Sequence, residues 1–336
     1  MASEDSRQRT WRWWIGLAIS LAALALATWG VQPTRLLATL TRARLELLPL
    51  ALLLQVVGIA ARARAWQEFL GAATFRRAFA ALNEGYLLNN LLPVRLGELA
   101  RAYLVRKGTT LGTAQALGSV LIERLSDVAI ALAALTFALP RLAAPPWAQD
   151  IATAVGIALA VALAGLLVLI LSRRTGPAVL ARLPGIAGRG LPRLARGLTE
   201  GLYVAGSPRR LLPGLAWLLG GWVVAWLQFE VYLRLFGASG SPTVWLFSLS
   251  VIAFGGAVPS SPGALGVYEL AGSAALRAVG YGPEVSLSVA AGSHLVQIAT
   301  TAVLGGWFLS REGQSIADLA RVARELARKP AETANL

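Results

Sequence analysis

The sequence predicts an all-α polytopic membrane protein: about six full spans, two re-entrant helical hairpins and an inverted repeat. Three observations carry this. Hydrophobic residues make up 56% of the 336 and charged residues only 14%, where a soluble domain carries about a quarter charged. Mean hydropathy is +0.61. The charges lie between apolar runs, several of them near the roughly 20 residues that a helix needs to cross a bilayer. A disordered chain and an ordinary soluble enzyme are thereby excluded.

The full spans expected in order are Trp13–Gly30, Glu46–Ala61, Ala114–Leu139, Ile151–Leu171, Leu211–Phe236 and Val285–Leu309. The first follows Arg7, Arg9 and Arg12 and reads as an uncleaved anchor rather than a signal cleaved near Ala25–Ala27. The second is short and runs toward Arg62 and Arg64, whose heads are expected to snorkel to the interface. Two further apolar stretches, Phe75–Val105 and Val244–Val279, are broken by Pro, Gly and polar residues. Non-helical backbone at membrane depth must be buried in protein or line a wet cavity. Each stretch is therefore expected to dip in and return to its own side.

With the N-terminus inside, most Lys and Arg fall on the cytoplasmic side. The outside holds Arg35, Arg42, Arg44, Arg141, Arg234 and Arg277. The expected location is thus the cell (plasma) membrane, multi-pass, with both termini cytoplasmic. The whole of 1–336 reads as one transmembrane domain. Residues 13–139 form a first repeat half, 151–309 a second of opposite direction, and 310–336 a cytoplasmic amphipathic tail. Pro93, Gly97, Glu98 and Leu99 in one broken stretch are echoed by Pro262, Gly266, Glu269 and Leu270 in the other. Ser172–Arg210, rich in Arg, Pro and Gly, reads as an interfacial loop.

There are 31 Lys and Arg against 17 Asp and Glu, a net charge of +14. Charges placed between apolar runs point to anionic or phosphate-bearing membrane phospholipids as partners, not to nucleic acid. Cysteine is absent and there is one histidine, His294. No disulfide or thiol nucleophile is available, and a His- or Cys-rich metal centre is not expected. No nucleotide loop, dinucleotide fingerprint or nucleophile elbow stands in a suitable context, so no cofactor is implied. Oligomeric state is left open.

Chemistry concentrates in three clusters. In Asn83–Lys107, residues Asn89, Asn90, Arg95, Glu98 and Arg101 surround Pro93 and Gly97. Arg95, Glu98 and Arg101 recur every three residues, so Glu98 reaches either arginine on a short helix. Their guanidinium forks suit phosphate oxygens; the alternative is an ordinary loop with a helix ion pair. In SVLIERLSDVAIALAALTF, Glu123, Arg124 and Asp127 sit inside a span, where ionisable groups are costly. They carry net −1, which calls for Arg95 or Arg101 as partner. Headgroup binding and a purely structural ion network both stand. In AVPSSPGALGVYE, Pro259, Pro262, Gly263 and Gly266 break the chain, and Ser260 and Ser261 are placed to cap the helix that follows. Glu269 is either a gate or headgroup contact, or pairs with an arginine elsewhere. His294 with Gln297 reads as an interhelical hydrogen bond. Gln228 and the Glu230–Arg234 pair read as structural. Trp11, Trp13, Trp14, Trp147 and Trp307 read as interface anchors.

In NNLLPVRLGELAR, ERLSD and PSSPGALGVYE the sequence resembles the transmembrane, flippase-like region of lysylphosphatidylglycerol synthases, which also occurs as free-standing proteins. That family's Asn-Pro-Arg-Gly-Glu-Arg pattern falls on Asn90, Pro93, Arg95, Gly97, Glu98 and Arg101. Its Glu-Arg…Asp pattern falls on Glu123, Arg124 and Asp127, and its Pro-Gly…Gly…Glu pattern on Pro262, Gly263, Gly266 and Glu269. The resemblance implies movement of a phospholipid, or a related isoprenoid or glycolipid, between leaflets. No aminoacyl-transferase domain follows residue 336, so lipid lysylation by this chain is not expected.

The leading expectation is therefore a transporter, not an enzyme, in which two hairpins form a polar midplane site for the lipid. The alternative is an integral membrane transferase acting on a lipid phosphate or glycolipid, using Glu98, Glu123 and Asp127. A third reading is a scaffold whose basic loop and tail bind anionic lipid.

Overall fold

The computed structural model describes residues 16–92, 96–107, 109–142, 157, 207–256, 260–313, 315–318 and 321. Among these, secondary structure is wholly helical. The helices are α1 Gly16–Thr28, α2 Pro33–Thr41, α3 Leu48–Leu70, α4 Phe75–Leu91, α5 Gly97–Leu104, α6 Thr113–Ala138, α7 Pro208–Leu235, α8 Pro242–Gly255, α9 Val267–Ala278 and α10 Pro283–Arg311.

Local signals account for most boundaries. Proline stands in the first turn of α2, α3, α7, α8 and α10, where its fixed φ suits the helix and its missing N–H is not needed. Gly71 ends α3 in the left-handed region, φ +77°. Thr74 then caps α4, its hydroxyl accepting from the Arg77 amide at 3.3 Å.

Three described helical segments are long and apolar enough to cross a membrane: Leu45–Leu70, Pro208–Leu235 and Pro283–Arg311. The bent pair α1–α2, with 83° between its halves, makes a fourth if it counts as one span. That is fewer than the six expected. The described part of the first expected span falls in this bent pair, as Gly16–Thr28; Ala114–Leu139 is helical but carries three ionisable residues. All of Ile151–Leu171 but Ile157, the Ser172–Gly206 part of the basic loop and most of the tail lie outside the described residues. Leu53, Leu295 and Val303 are exposed on these helices, an outward apolar surface that suits lipid and not water.

The bundle has two ends, identified by contacts across the sequence. At the first, the Arg210 guanidinium lies against Gly71. Glu312 pairs there with Arg77 and, at 3.3 Å, with Lys107. At the second, the Arg44 amide donates to the Leu235 carbonyl at 2.8 Å. Arg277 donates to the Ala27 and Trp29 carbonyls, and Gln32 N–H to Glu284 at 3.1 Å. The helical hairpin α4–α5 thus enters from the first end and α8–α9 from the second. α3 lies antiparallel along α7, with α4 against α10, α8 against α6, α5 against α6 and α9 against α10. Gln228 of α7 ties the α3–α7 pair, donating to the Ala51 carbonyl at 2.8 Å.

Candidate functional site

The site begins with a tight turn. The break between α4 and α5 is closed by Asn89, whose Oδ1 accepts from the Gly97 amide at 2.8 Å. The two helices touch through glycine. A Cβ on Gly97 would stand 1.9 Å from the Gly85 carbonyl oxygen, and one on Gly85 would stand 2.9 Å from Cβ of Arg101. Backbones that close leave no room for a side chain, so Gly85 and Gly97 set where Arg101 and Glu98 stand.

From that position Arg101 reaches α6. Its side chain is 1% exposed, with Nη1 2.8 Å from Glu123 Oε2 and Nη2 2.6 Å from Glu98 Oε2. Its guanidinium carbon lies 4.7 Å from the centroid of the Trp66 ring, a cation–π contact. Arg124 Nη2 lies 2.8 Å from the other oxygen of Glu123, with Asp127 at 3.5 Å and Glu98 at 3.8 Å. Asp127 is gripped from α3 by both terminal nitrogens of Arg62. From α7, Trp222 Nε1 donates to it at 3.0 Å. Arg62 Nε also donates to the Tyr86 hydroxyl at 3.3 Å.

Three arginines therefore face three carboxylates, and the described network is neutral. Glu123 lies ten residues into α6, about 15 Å along its axis. Charges this deep survive only when paired and hydrogen-bonded. Glu98, on the outer edge, retains 20% side-chain exposure where Glu123 has none. Arg101 Nε and Nη2 and Arg124 Nε are buried without an aligned hydrogen bond. Of these, Arg101 Nη2 and Arg124 Nε face the Glu98 carboxylate.

The second hairpin meets the first at its tip. Gly263, φ +69°, sits where an added Cβ would be 3.6 Å from the Asn90 carbonyl oxygen. Asn90 Nδ2 donates to Thr301 of α10 at 2.8 Å. The tip also leans on α1: the Ser261 amide donates to Ser20 Oγ at 3.0 Å. A Cβ on Gly266, φ +83°, would stand 2.2 Å from the Ser20 carbonyl oxygen.

Several expectations need correction. Ser260 and Ser261 do not cap α9. Glu269 does, its Oε2 accepting from the Gly266 amide at 2.7 Å, because a first-turn carboxylate reaches the free amides directly. Glu269 pairs not with an arginine but with His294 Nδ1, at 2.6 Å; the His294 ring stacks on Tyr268 at 4.2 Å. The interhelical hydrogen bond expected of His294 is present. Arg62 does not snorkel, because Asp127 offers a buried partner. Pro93, Arg95 and Pro259 lie outside the described residues. Trp66, Tyr86, Gly85 and Trp222 were not singled out from sequence. The signal for Arg62 was there: the net −1 of Glu123, Arg124 and Asp127 called for an outside cation, and both Arg62 and Arg101 answer it.

Apolar helices of spanning length, two opposed hairpins and a buried, neutral ion network define the class: a multi-pass helical membrane protein. The family is shown by sequence: the chain belongs to the Lysylphosphatidylglycerol synthase TM region family, whose model matches residues 13–305. It is also similar to Glycosyltransferase AglD of Haloferax volcanii, 26% identical over 332 residues, 87% of this chain and 53% of that protein. The chain spans about half the length of this curated relative. No solved structure gives a significant match. The expectation that the chain is not an enzyme is overturned by this relative, which is named a glycosyltransferase.

Proposed function

We propose that this chain handles a phosphate-bearing lipid at the Arg101–Arg124–Glu98 edge of the ion network and carries its headgroup across the bilayer. The observation that carries the proposal is the unequal burial of the carboxylates. Glu123 and Asp127 hold the arginines from below. Glu98, partly exposed, covers Arg101 Nη2 and Arg124 Nε from the outer side. A phosphate has the charge and oxygens to take the place of Glu98 on both guanidinium groups. Arg95, spaced three residues from Glu98 and six from Arg101, joins the site on sequence alone. Asn89, Asn90, Ser260, Ser261 and Glu269 shape the two hairpin tips between which the headgroup passes, and Pro93, Gly97, Pro259, Pro262, Gly263 and Gly266 are the hinges.

Alternating access follows from an inverted repeat of 13–139 and 151–309, followed by the tail 310–336. The packing supports it: α3–α7 forms the seam, α4 on α10 mirrors α8 on α6, and α5 on α6 mirrors α9 on α10. The plasma membrane and cytoplasmic termini remain part of this proposal, on the distribution of Lys and Arg.

The test is leaflet exchange of labelled anionic phospholipid in proteoliposomes. Wild type is expected to exceed empty liposomes. Glu98→Gln and Arg124→Gln are expected to lose exchange while the protein elutes and melts as a folded species. Wild-type exchange no faster than empty liposomes would defeat the proposal.

The glycosyltransferase relative favours a second reading, in which the same lipid site serves transfer of a group to or from the lipid phosphate. Incubation with polyprenyl-phosphate sugars followed by mass spectrometry checks it. A new glycolipid lost in Glu123→Gln supports transfer; unchanged lipid counts against it.

A further inference from the structure

Glu84, on α4, is completely buried, and neither of its carboxylate oxygens has a hydrogen-bond partner. It stands where two of the tightest helix contacts in the molecule converge. A Cβ on Gly305 of α10 would lie 2.6 Å from the carbonyl oxygen of Asn83, and one on Gly85 would lie 2.8 Å from that of Gly97. One neighbour of Glu84 in the chain thus seals α4 to α10, and the other seals α4 to α5.

The cations on the packed elements are engaged elsewhere. Arg62 holds Asp127, Arg64 holds Glu68, and Arg101 holds Glu98 and Glu123. Arg77 and Lys107 are close enough to influence Glu84, but both are bound by Glu312, a like charge. Arg311 of α10 lies over the Trp307 ring. A bare carboxylate in such a place costs several kcal/mol, and a buried carboxyl without a hydrogen-bonding partner is ordinarily neutralised by a proton or a counter-ion. Among the described residues no side chain supplies that ion. The seam is too close for a large one.

We infer that Glu84 is the binding site of a small coupling cation, a proton or an alkali-metal ion, held in the seam between the first hairpin and α10. Occupied, the site is neutral and the hairpin seats as seen here. Emptied, it leaves a negative charge that only water or an opened seam relieves. The site therefore links hairpin movement to a cation gradient. The cation site itself rests on the burial of Glu84; its coupling role rests on the transport reading proposed above.

Melting of the purified protein in detergent tests this without any lipid assay. Ligand that binds only the folded state raises the melting temperature. With choline balancing ionic strength, wild type is expected to melt a few degrees higher as Na⁺ is added if the site takes an alkali ion. If it takes a proton, wild type gains a few degrees on lowering the pH instead. Glu84→Gln, neutral and of the same shape, is expected to lose that response and to melt like the occupied wild type. Glu84→Leu serves if the amide variant does not purify. A Glu84→Gln protein that responds to Na⁺ and pH as wild type does would overturn the inference. So would a wild type that responds to neither.

Discussion

Arg101→Ala is the most informative single change in this molecule. Arg101 is 1% exposed and bridges Glu98 on its own helix to Glu123 on α6, whose side chain has no exposure at all. Its loss leaves Glu123 with Arg124 alone. Breaking a buried pair by removing one partner costs about 3–5 kcal/mol, a large share of the roughly 5–15 kcal/mol that holds a domain folded. For a chain of this size the melting temperature should fall by roughly 5 °C. The double variant Arg101→Met, Glu123→Leu removes both charges and fills the space, and buried pairs replaced in that way are neutral or stabilising. It should recover most of the lost stability, a coupling energy of about 2 kcal/mol or more, yet remain inactive in leaflet exchange. Thermal melting in detergent gives the first quantity and proteoliposomes the second. An Arg101→Ala protein that melts with wild type, or a double variant no more stable than the single, would refute the assignment of this pair as a buried, mutually dependent unit.

Gly97→Ala should separate α4 from α5, since its Cβ would stand 1.9 Å from the Gly85 carbonyl oxygen. A loss of about 1–3 kcal/mol is expected, whereas Gly306→Ala, with nothing within 4 Å, should melt as wild type. Glu269→Ala should free the Gly266 amide and leave His294 unpaired. Hydrogen exchange at the start of α9 should quicken, by an opening free energy lower by about 1 kcal/mol; Ser261→Ala should leave that exchange unchanged. Trp222→Phe removes one donor from Asp127 and should cost about 1–3 kcal/mol in melting, with a smaller effect expected for Tyr86→Phe because the Arg62–Asp127 grip remains.

Composition and pattern alone determine that the chain is a helical membrane protein with two broken stretches. A bilayer admits few ways to satisfy backbone polar groups, so apolar run length and interrupting Pro and Gly are nearly sufficient signals. The same patterns single out Glu98, Arg101, Glu123, Arg124 and Asp127, because ionisable residues inside apolar helices are too costly to be incidental. The pairings are another matter. Which cation meets Asp127 depends on how far α3 slides along α6, and Arg62 looks from sequence like any arginine at the end of a span. Only packing shows that Gly85, one small residue among 34 glycines, sets the height of Arg101. Only packing shows that Glu269 caps its own helix while Glu84 is sealed in without a partner among the described residues. Helix and span are decided by local chemistry, within one segment. Which charges neutralise one another is decided across segments far apart in the chain, by contacts at the scale of single ångströms.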